Sequence, residues 1–147
     1  MLARDQSSAY SATSGLHGYG IPYELIIVPQ AGAALPTLNS STTKENYGGI
    51  VVLSELAYGY SDGWRSALTM DQWNVLDQYQ TGFGARMVRL DVYPSDTFGT
   101  TTAIAGTGCC DTSVEQLISI SDTTAFPTAN LKKERAQAPL GSGTTRL

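Results

Sequence analysis

Residues 47–94 decide the fold, in three successive pieces: Tyr47-Gly-Gly-Ile-Val-Val-Leu-Ser54, then Leu68-Thr-Met-Asp-Gln-Trp-Asn-Val-Leu-Asp-Gln-Tyr79, then Gly84-Ala-Arg-Met-Val-Arg-Leu-Asp-Val-Tyr-Pro94. The first piece is a short, continuous, β-branched apolar run, which is typical of a strand buried on both faces. The third piece predicts a second strand over 85–92, closed by its proline. A strand, a helix and a strand in succession form a βαβ unit with parallel pairing. The sequence therefore predicts an α/β domain.

The middle piece carries the start signals of a helix. Thr69 is a good N-cap, Gln72 completes a capping box with it, and Leu68 can pack against Trp73 across the first turn. Gly82 suits the position just after the helix. Apolar residues recur at helical spacing and are expected in the core: Trp73, Leu76 and Tyr79.

The sequence signals for helices and strands outside this unit are weaker. Residues 23–28 predict a strand that ends before a proline. Residues 5–16 predict a short helix with Tyr10, Ala12 or Thr13, and Leu16 facing inward. Residues 35–38 hold at most a short strand. Two further Ile-bearing runs are expected as edge strands: 103–106 and 116–121.

Composition and charge exclude several classes of partner. The net charge is −4 and the pI is near 4.7, so there is no basic stripe to neutralise the phosphates of a nucleic acid. No apolar run approaches the roughly 20 residues that span a membrane, and the first five residues show no signal peptide. Gly82-Phe-Gly84 lacks the spacing of a nucleotide-binding loop. No nucleic acid, membrane or cofactor is predicted to bind.

The sequence also contains few residues that could support catalysis. Metal-dependent hydrolysis needs two or three convergent His and Asp ligands, and the chain has one His, His17, beside a glycine at a predicted surface turn. Cys109 and Cys110 fall in a Gly-rich loop rather than on a strand-to-helix elbow, so no nucleophile is predicted. They could form a strained vicinal disulfide, pair with cysteines outside this chain, or stay reduced. The sequence predicts no enzyme activity.

The most suggestive segment for ligand binding is an aromatic loop that follows the strand at 50–53. In doubly wound sheets, ligands bind at the carboxyl ends of the strands. Aromatic rings stack on the C–H faces of sugars, while a carboxylate and a guanidinium bind hydroxyl or amine groups. The alternative is that the tryptophan only caps the sheet edge and the tyrosines solvate the loop. The candidate carbohydrate-binding residues are Tyr58, Tyr60, Asp62, Trp64 and Arg65.

Two other polar features lie outside this loop. Arg86 and Arg89 interrupt an apolar strand, where charge must be paired or reach solvent, and Asp91 or Glu55 is the expected partner. In addition, Asn39-Ser40-Ser41 is an N-glycosylation sequon, which predicts a glycan on Asn39 and favours secretion.

Several ordered motifs carry a resemblance to a known family. They include Gly20-Ile-Pro-Tyr-Glu24, Leu35-Pro-Thr-Leu38, Tyr47-Gly-Gly-Ile-Val-Val52, Arg86-Met-Val-Arg-Leu-Asp91, Phe98-Gly99 and Ala125-Phe-Pro-Thr-Ala-Asn-Leu131. Over residues 8–131 the chain resembles the N-terminal part of fungal secreted exopolysaccharide deacetylases of the galactosaminogalactan type. In shape it is similar to flavodoxin-like and class I glutamine-amidotransferase-like domains.

The resemblance implies a non-catalytic, carbohydrate-associated region that acts outside the cell, in a biofilm exopolysaccharide, and binds an amino-sugar polymer. The metal-dependent deacetylase motifs of that family lie beyond this chain, so the catalytic domain is expected to be missing and the chain to be a fragment. The alternative is an amidotransferase-like or flavodoxin-like domain that has lost its nucleophile and serves as an interaction scaffold.

The resemblance also implies a truncated, partial doubly wound, mainly parallel sheet. Such domains begin with a strand before their first helix, and this chain is expected to open inside that helix. The edge left without its neighbour would present unpaired N–H and C=O groups, so we expect a poorly soluble or partly molten chain. Residues 5–121 are predicted to form the incomplete α/β domain, and residues 122–147 to form its continuation and a flexible or out-of-frame tail.

Overall fold

The computed structural model describes residues 1–101, 118–120, 122–124, 128 and 135–136. The chain divides into two compact units, residues 1–93 and residues 94–146; the predicted boundary after residue 121 stays a prediction. The helices and strands are, in chain order, β1 (Leu2–Ala3), α1 (Tyr10–Gly18), β2 (Ile26–Ile27), β3 (Asn39–Ser41), β4 (Lys44–Glu45), β5 (Gly49–Leu53), β6 (Ala57–Tyr60), β7 (Gly63–Ser66), α2 (Met70–Phe83), β8 (Arg86–Leu90), β9 (Ile118–Ser119) and β10 (Arg135–Ala136).

A four-stranded parallel sheet with the strand order β2-β1-β5-β8 forms the centre of the first unit. The two longest of these strands, β5 and β8, pair along their whole length. Ile50 and Val52 of β5 pack in one core with α2, while Leu53 packs in a second core with the start of α1. The strand is therefore buried on both faces, as its apolar run predicts. The α/β class and the parallel βαβ unit are confirmed.

The start of α2 follows its capping signals. The Thr69 hydroxyl accepts from the Gln72 backbone N–H at 3.2 Å, and the Gln72 side-chain oxygen accepts from the Thr69 N–H at 3.0 Å. Leu76 and Tyr79 are buried as predicted, and Trp73 packs against the same core in a partly buried position. The capping box therefore fixes which face of α2 meets the sheet.

The end of α2 differs from its prediction. Gly82 lies inside the helix, and Gly84, with φ of 66°, closes it. The reason is that the left-handed conformation that ends a helix is cheap only for glycine, and of the two glycines it is Gly84 that adopts it. Two residues later the chain enters β8, so this turn sets the register of β8 against β5.

The strand predicted to be missing before the first helix is present, and that prediction is wrong. Leu2 and Ala3 form β1, which pairs in parallel with β2 on one side and with β5 on the other. Both residues are buried. A strand of two residues is too short to show an alternating or continuous apolar pattern, which is why it escaped recognition. The expected gap at this place in the sheet is filled by β1, while the low solubility inferred from it stays a prediction.

Other local elements also differ from the predictions. Of the residues predicted to face inward from α1, Ala12 packs with Ala9 against Leu53 and its neighbours and Leu16 is partly buried, whereas Tyr10 is exposed. Small alanines allow this close approach, and the bulky ring points away. Only two residues of the predicted strand at 23–28 are in β2, and no strand forms at 35–38. The short β3–β4 hairpin follows that segment instead.

The described part of the second unit is small. It includes a 3₁₀ turn at Asp96–Phe98 and the antiparallel pair of β9 and β10. A strand thus lies within the predicted run 116–121, paired in a separate two-stranded sheet. The run 103–106, Cys109 and Cys110 lie outside the described residues.

Candidate functional site

The aromatic segment predicted as a loop is an antiparallel hairpin, β6–β7. Its register places Tyr58 opposite Arg65 and Gly59 opposite Trp64. Directly opposed residues share a face of a hairpin, and successive residues alternate between faces. Tyr58, Tyr60 and Arg65 therefore form one face, the tyrosine face, and Trp64 lies on the other, the tryptophan face. The structure brings the predicted residues onto one element but not onto one surface.

The tyrosine face is bound to the segment that follows β2. The Tyr58 hydroxyl donates to the carbonyl oxygen of Val28 at 2.8 Å, and the Tyr60 hydroxyl donates to that of Gln30 at 2.6 Å. In return, Gln30 Nε2 donates to the Gly59 carbonyl oxygen at 2.8 Å. These three hydrogen bonds hold the hairpin at the carboxyl end of β2. The two half-buried tyrosines position the hairpin and do not merely solvate it.

The base of the hairpin is fixed by two further hydrogen bonds. Arg4 Nη1 donates to the Ala57 carbonyl oxygen at 3.2 Å, and the Ser66 hydroxyl donates to the Glu55 carbonyl oxygen at 2.7 Å. The Arg4 guanidinium also lies 5.9 Å from the centroid of the Tyr58 ring. Arg4 follows β1 and Glu55 follows β5, so the hairpin is tied to the carboxyl ends of three neighbouring strands. This is the edge at which open α/β sheets bind ligands.

Near the tip of the hairpin, the charged side chains of Arg65 and Asp62 lie close together and remain exposed to solvent. The Arg65 guanidinium lies 3.8 Å from the centroid of the Tyr60 ring. Its Nε is 3.6 Å from Asp62 Oδ1, and the two side chains are 59% and 69% exposed. An exposed ion pair or cation–π contact contributes about 1 kcal/mol or less. A guanidinium has five N–H donors, so this pair leaves donors for the hydroxyl groups of a ligand.

Trp64 presents the largest aromatic surface of the hairpin. Its residue is 77% exposed. The indole atoms Cε2 and Cζ2 lie 3.8 Å from the position that a Cβ on Gly59 would take, which is ordinary van der Waals contact. The ring thus rests against the bare backbone of Gly59 and keeps most of its surface in solvent. The same contact shields the glycine backbone, and the exposed surface suits stacking on a sugar.

A strained polar turn lies at the same edge of the sheet. Ser54, Glu55 and Leu56 have φ angles of 49°, 53° and 53°, and Asp91 has a φ of 55°. Left-handed backbone costs non-glycine residues about 1–3 kcal/mol each. The Ser54 hydroxyl donates to Asp91 Oδ2 at 2.7 Å. This bond joins the ends of β5 and β8 and helps to hold the turn from which the hairpin starts.

The predicted pairing of Arg89 is confirmed, with Glu55 as its partner. Arg89 Nη1 lies 2.9 Å from Glu55 Oε1, and the guanidinium lies 4.5 Å from the Trp73 ring centroid. The other expected partner, Asp91, is instead bonded to Ser54. The pair is two-thirds buried and links the turn after β5 to β8.

Asp5, which follows β1 at this edge, forms hydrogen bonds within its own turn. Its Oδ1 accepts hydrogen bonds from the Ser7 hydroxyl and the Ser8 N–H, each at 2.7 Å. These bonds, led by that of Ser7, favour the ionised form and hold the pKa of Asp5 below its ordinary value. The carboxylate therefore serves the turn before α1 rather than the hairpin.

Arg4 and Gln30 are the functional positions that sequence reasoning missed. Gln30 follows the proline that ends the β2 segment, and this position carries no motif. Arg4 is the first residue after β1, and it would have been singled out only if β1 had been recognised. The alternation of aromatic residues at 58 and 60, with the Asp62-Gly63 turn signal, could have indicated the hairpin.

Outside the hairpin, the predicted residues are dispersed. His17 is exposed, and its Nε2 lies 3.1 Å from the Tyr23 hydroxyl. Asn39 is exposed on β3. Among the residues that the structure describes, no group of three or more His, Cys, Asp or Glu is arranged to hold a metal ion. In that same part of the chain, no helix is long and apolar enough to cross a membrane.

The structure is an α/β domain with an open aromatic surface at the carboxyl edge of its sheet. The sequence profile of the family described as Agd3 CBM87 matches residues 1–141. The chain belongs to this family of carbohydrate-binding modules. The predicted resemblance to a carbohydrate-binding region is thereby confirmed.

One solved structure is similar to this chain: "Crystal structure of Agd3 a novel carbohydrate deacetylase". The TM-score is 0.71 and the sequence identity is 56%, over 90% of this chain and 20% of that one. The chain thus spans about a fifth of the length of this relative. A comparison with curated proteins gave no match.

Proposed function

We propose that the chain is a non-catalytic, polysaccharide-binding region of a secreted deacetylase, and that it holds an amino-sugar polymer on its tryptophan face. Membership of a carbohydrate-binding family supports the polysaccharide, and the similarity to a carbohydrate deacetylase supports the wider protein. Action outside the cell follows from a polymer substrate of this kind. The fungal source inferred from the sequence stays a prediction.

The observation that carries this proposal is the position of Trp64. Trp64 is 77% exposed and its indole lies beside Gly59, the residue opposite it in the hairpin, so a large aromatic surface is open to a ligand. A sugar that stacks on it loses little side-chain entropy from the protein. Asp62 in the turn of the hairpin suits the amine of an amino sugar, because a carboxylate accepts from an amine, whereas Arg65 lies on the opposite, tyrosine face.

The strand order supports the doubly wound, flavodoxin-like interpretation. The chain begins at β1 in the middle of the sheet, adds β2 on one side, and then crosses to β5 and β8 on the other. The switch point of this order lies between β1 and β5, whose ends hold the base of the hairpin through Arg4 and Glu55. No described residue favours the alternative of an interaction scaffold derived from an amidotransferase, and we do not propose it.

Retention of the purified chain on insoluble polymers of N-acetylgalactosamine and of galactosamine tests the proposal. Trp64→Ala should weaken binding by about 1–3 kcal/mol, or roughly 5- to 150-fold, with an unchanged circular dichroism spectrum. Tyr19→Ala is the matched control, because Tyr19 is 86% exposed on the turn after α1 and away from the hairpin. Equal retention of Trp64→Ala and the native chain would place binding elsewhere.

The proposal also predicts that the chain alone is not a deacetylase. With a single His in the sequence, it lacks the His and Asp ligand set that metal-dependent deacetylation needs. Incubation with N-acetylated hexosamine polymer and added Zn²⁺, Co²⁺ or Ni²⁺ should release no acetate above the rate without protein. Acetate release that depends on both the metal and the chain would contradict it.

A further inference from the structure

The sequon at Asn39 is a motif that the proposed function does not use. The chain contains four asparagines, and Asn39 is the one followed by a hydroxyl residue two positions later, Ser41. Oligosaccharide transfer needs this spacing on an accessible surface. A chain with one sequon can carry at most one N-glycan at such a motif, so its modification has a single, unambiguous position.

The structure places Asn39 where a glycan can be attached. It begins β3, which pairs with β4 in a short hairpin, and every residue from 39 to 46 is exposed. Asn39 Nδ2 donates to the Ser41 carbonyl oxygen at 2.9 Å. An amide nitrogen carries two hydrogens, so one can be replaced by a sugar while the other keeps this bond. The side chain is therefore both reachable and held in one orientation.

Asn39 also lines a groove that has the character of a sugar-binding surface. The groove has a volume of about 380 Å³ and runs between the 36–39 segment and α2. Its α2 wall includes Val75, Gln78, Tyr79 and Phe83, and Val75 is 46% exposed. This volume falls within the roughly 300–1,000 Å³ of small-ligand sites. The exposed Val75 and the partly buried Phe83 suit the C–H face of an N-acetylhexosamine, and the exposed Gln78 amide suits its acetamido group.

We propose that Asn39 is N-glycosylated and that the first N-acetylglucosamine of the glycan covers the groove along α2. In the transfer, Asn39 Nδ2 forms a bond to C1 of the first sugar of a polyprenyl-diphosphate-linked oligosaccharide. The bond from C1 to the diphosphate oxygen breaks, the lipid diphosphate leaves, and the amide loses one proton to a base of the transferase. The proposal rests on the extracellular location that the proposed function includes.

The test directs the chain into the secretory pathway of a eukaryotic cell. Its result therefore does not depend on whether the chain binds a polymer. The full chain is expressed behind a cleavable secretion signal in a eukaryotic host, and the intact mass is measured before and after treatment with peptide N-glycosidase. We expect one glycan per chain and, after the treatment, conversion of Asn39 to aspartate. Asn39→Gln and Ser41→Ala should abolish the glycan, while Asn46→Gln in the same hairpin should retain it. An unglycosylated secreted chain would overturn the proposal.

Contact with the groove is measured on the glycosylated chain by nuclear Overhauser effects. We expect cross-peaks from the first sugar to the Val75 methyl groups and the Phe83 ring. A Val75→Ser variant should lose the Val75 cross-peaks and keep the glycan, because this exposed position does not take part in the transfer. An occupied Asn39 without any cross-peak to α2 would overturn the covering of the groove. Retention on polymer by Asn39→Gln is a separate result that bears only on the proposed function.

Discussion

Both faces of the β6–β7 hairpin carry aromatic side chains, but one face packs against the domain and the other is open to solvent. On the tyrosine face, Tyr58 and Tyr60 direct their hydroxyls to backbone carbonyls beyond β2 and are half-buried. On the tryptophan face, Trp64 contacts Gly59 and is otherwise open to solvent. The difference follows from the alternation of a strand, which sends neighbouring residues to opposite sides. Aromatic composition alone cannot distinguish a ring that fixes the hairpin from one that is free to bind.

The largest expected effect is on the tyrosine face. Tyr58→Ala should lower the free energy of unfolding by about 2–3 kcal/mol, since it removes a half-buried ring and the hydrogen bond to Val28. An isolated two-stranded hairpin is marginal in water, so polymer retention should also fall. Urea unfolding and the retention assay measure the two quantities. If stability stayed unchanged, Tyr58 would not anchor the hairpin, and the comparison between the two faces would fail.

A smaller effect is expected from Tyr60→Phe. The change removes one hydroxyl and its bond to Gln30, but it keeps the ring beneath Arg65, so the loss of stability should be about 1 kcal/mol. Tyr10→Phe is a suitable control, because that ring is 72% exposed and its change should be within about 0.5 kcal/mol. Polymer retention should remain within twofold of the native chain. A large loss of retention at unchanged stability would move Tyr60 from the anchoring role to the binding role.

The smallest expected effect is on the charges at the tip. Arg65→Ala should change the unfolding free energy by about 0.5–1 kcal/mol, because it removes one exposed ion pair and one cation–π contact. Arg65→Lys keeps the charge but loses the planar stacking on Tyr60. This variant therefore separates the contribution of the charge from that of the stacking. Any charge contribution should shrink as salt is raised from 0.05 to 0.5 M, where exposed charges are screened. An effect on stability above 2 kcal/mol would show that Arg65 has a buried role.

The parts of the fold that could be predicted depend on local signals. The strand β5 and the helix α2 were recognised because an apolar run and a capping box are contained within their own residues. The strand β1 was not, because its two residues gain their central place from pairing with β2 and β5. The left-handed turn at Ser54, Glu55 and Leu56 was equally hidden, since no glycine marks it.

The candidate residues of the site could be named from the sequence, but not their division between two faces. That division depends on the register of β6 against β7, which the loop predicted for this segment does not contain. The anchors Arg4 and Gln30 come from other parts of the chain, and no motif links them to the hairpin. The sequence therefore indicates the aromatic rings but not the contacts that hold them.

The most direct test of the central claim, that the polymer binds to the tryptophan face, is the fluorescence of Trp64. The chain has two tryptophans, and Trp73→Phe leaves Trp64 as the single emitter while keeping a ring beneath Arg89. Titration with soluble amino-sugar oligomers should shift the emission to the blue and saturate, because stacking removes water from the indole. Binding of the oligomers without any change in this emission would contradict the account.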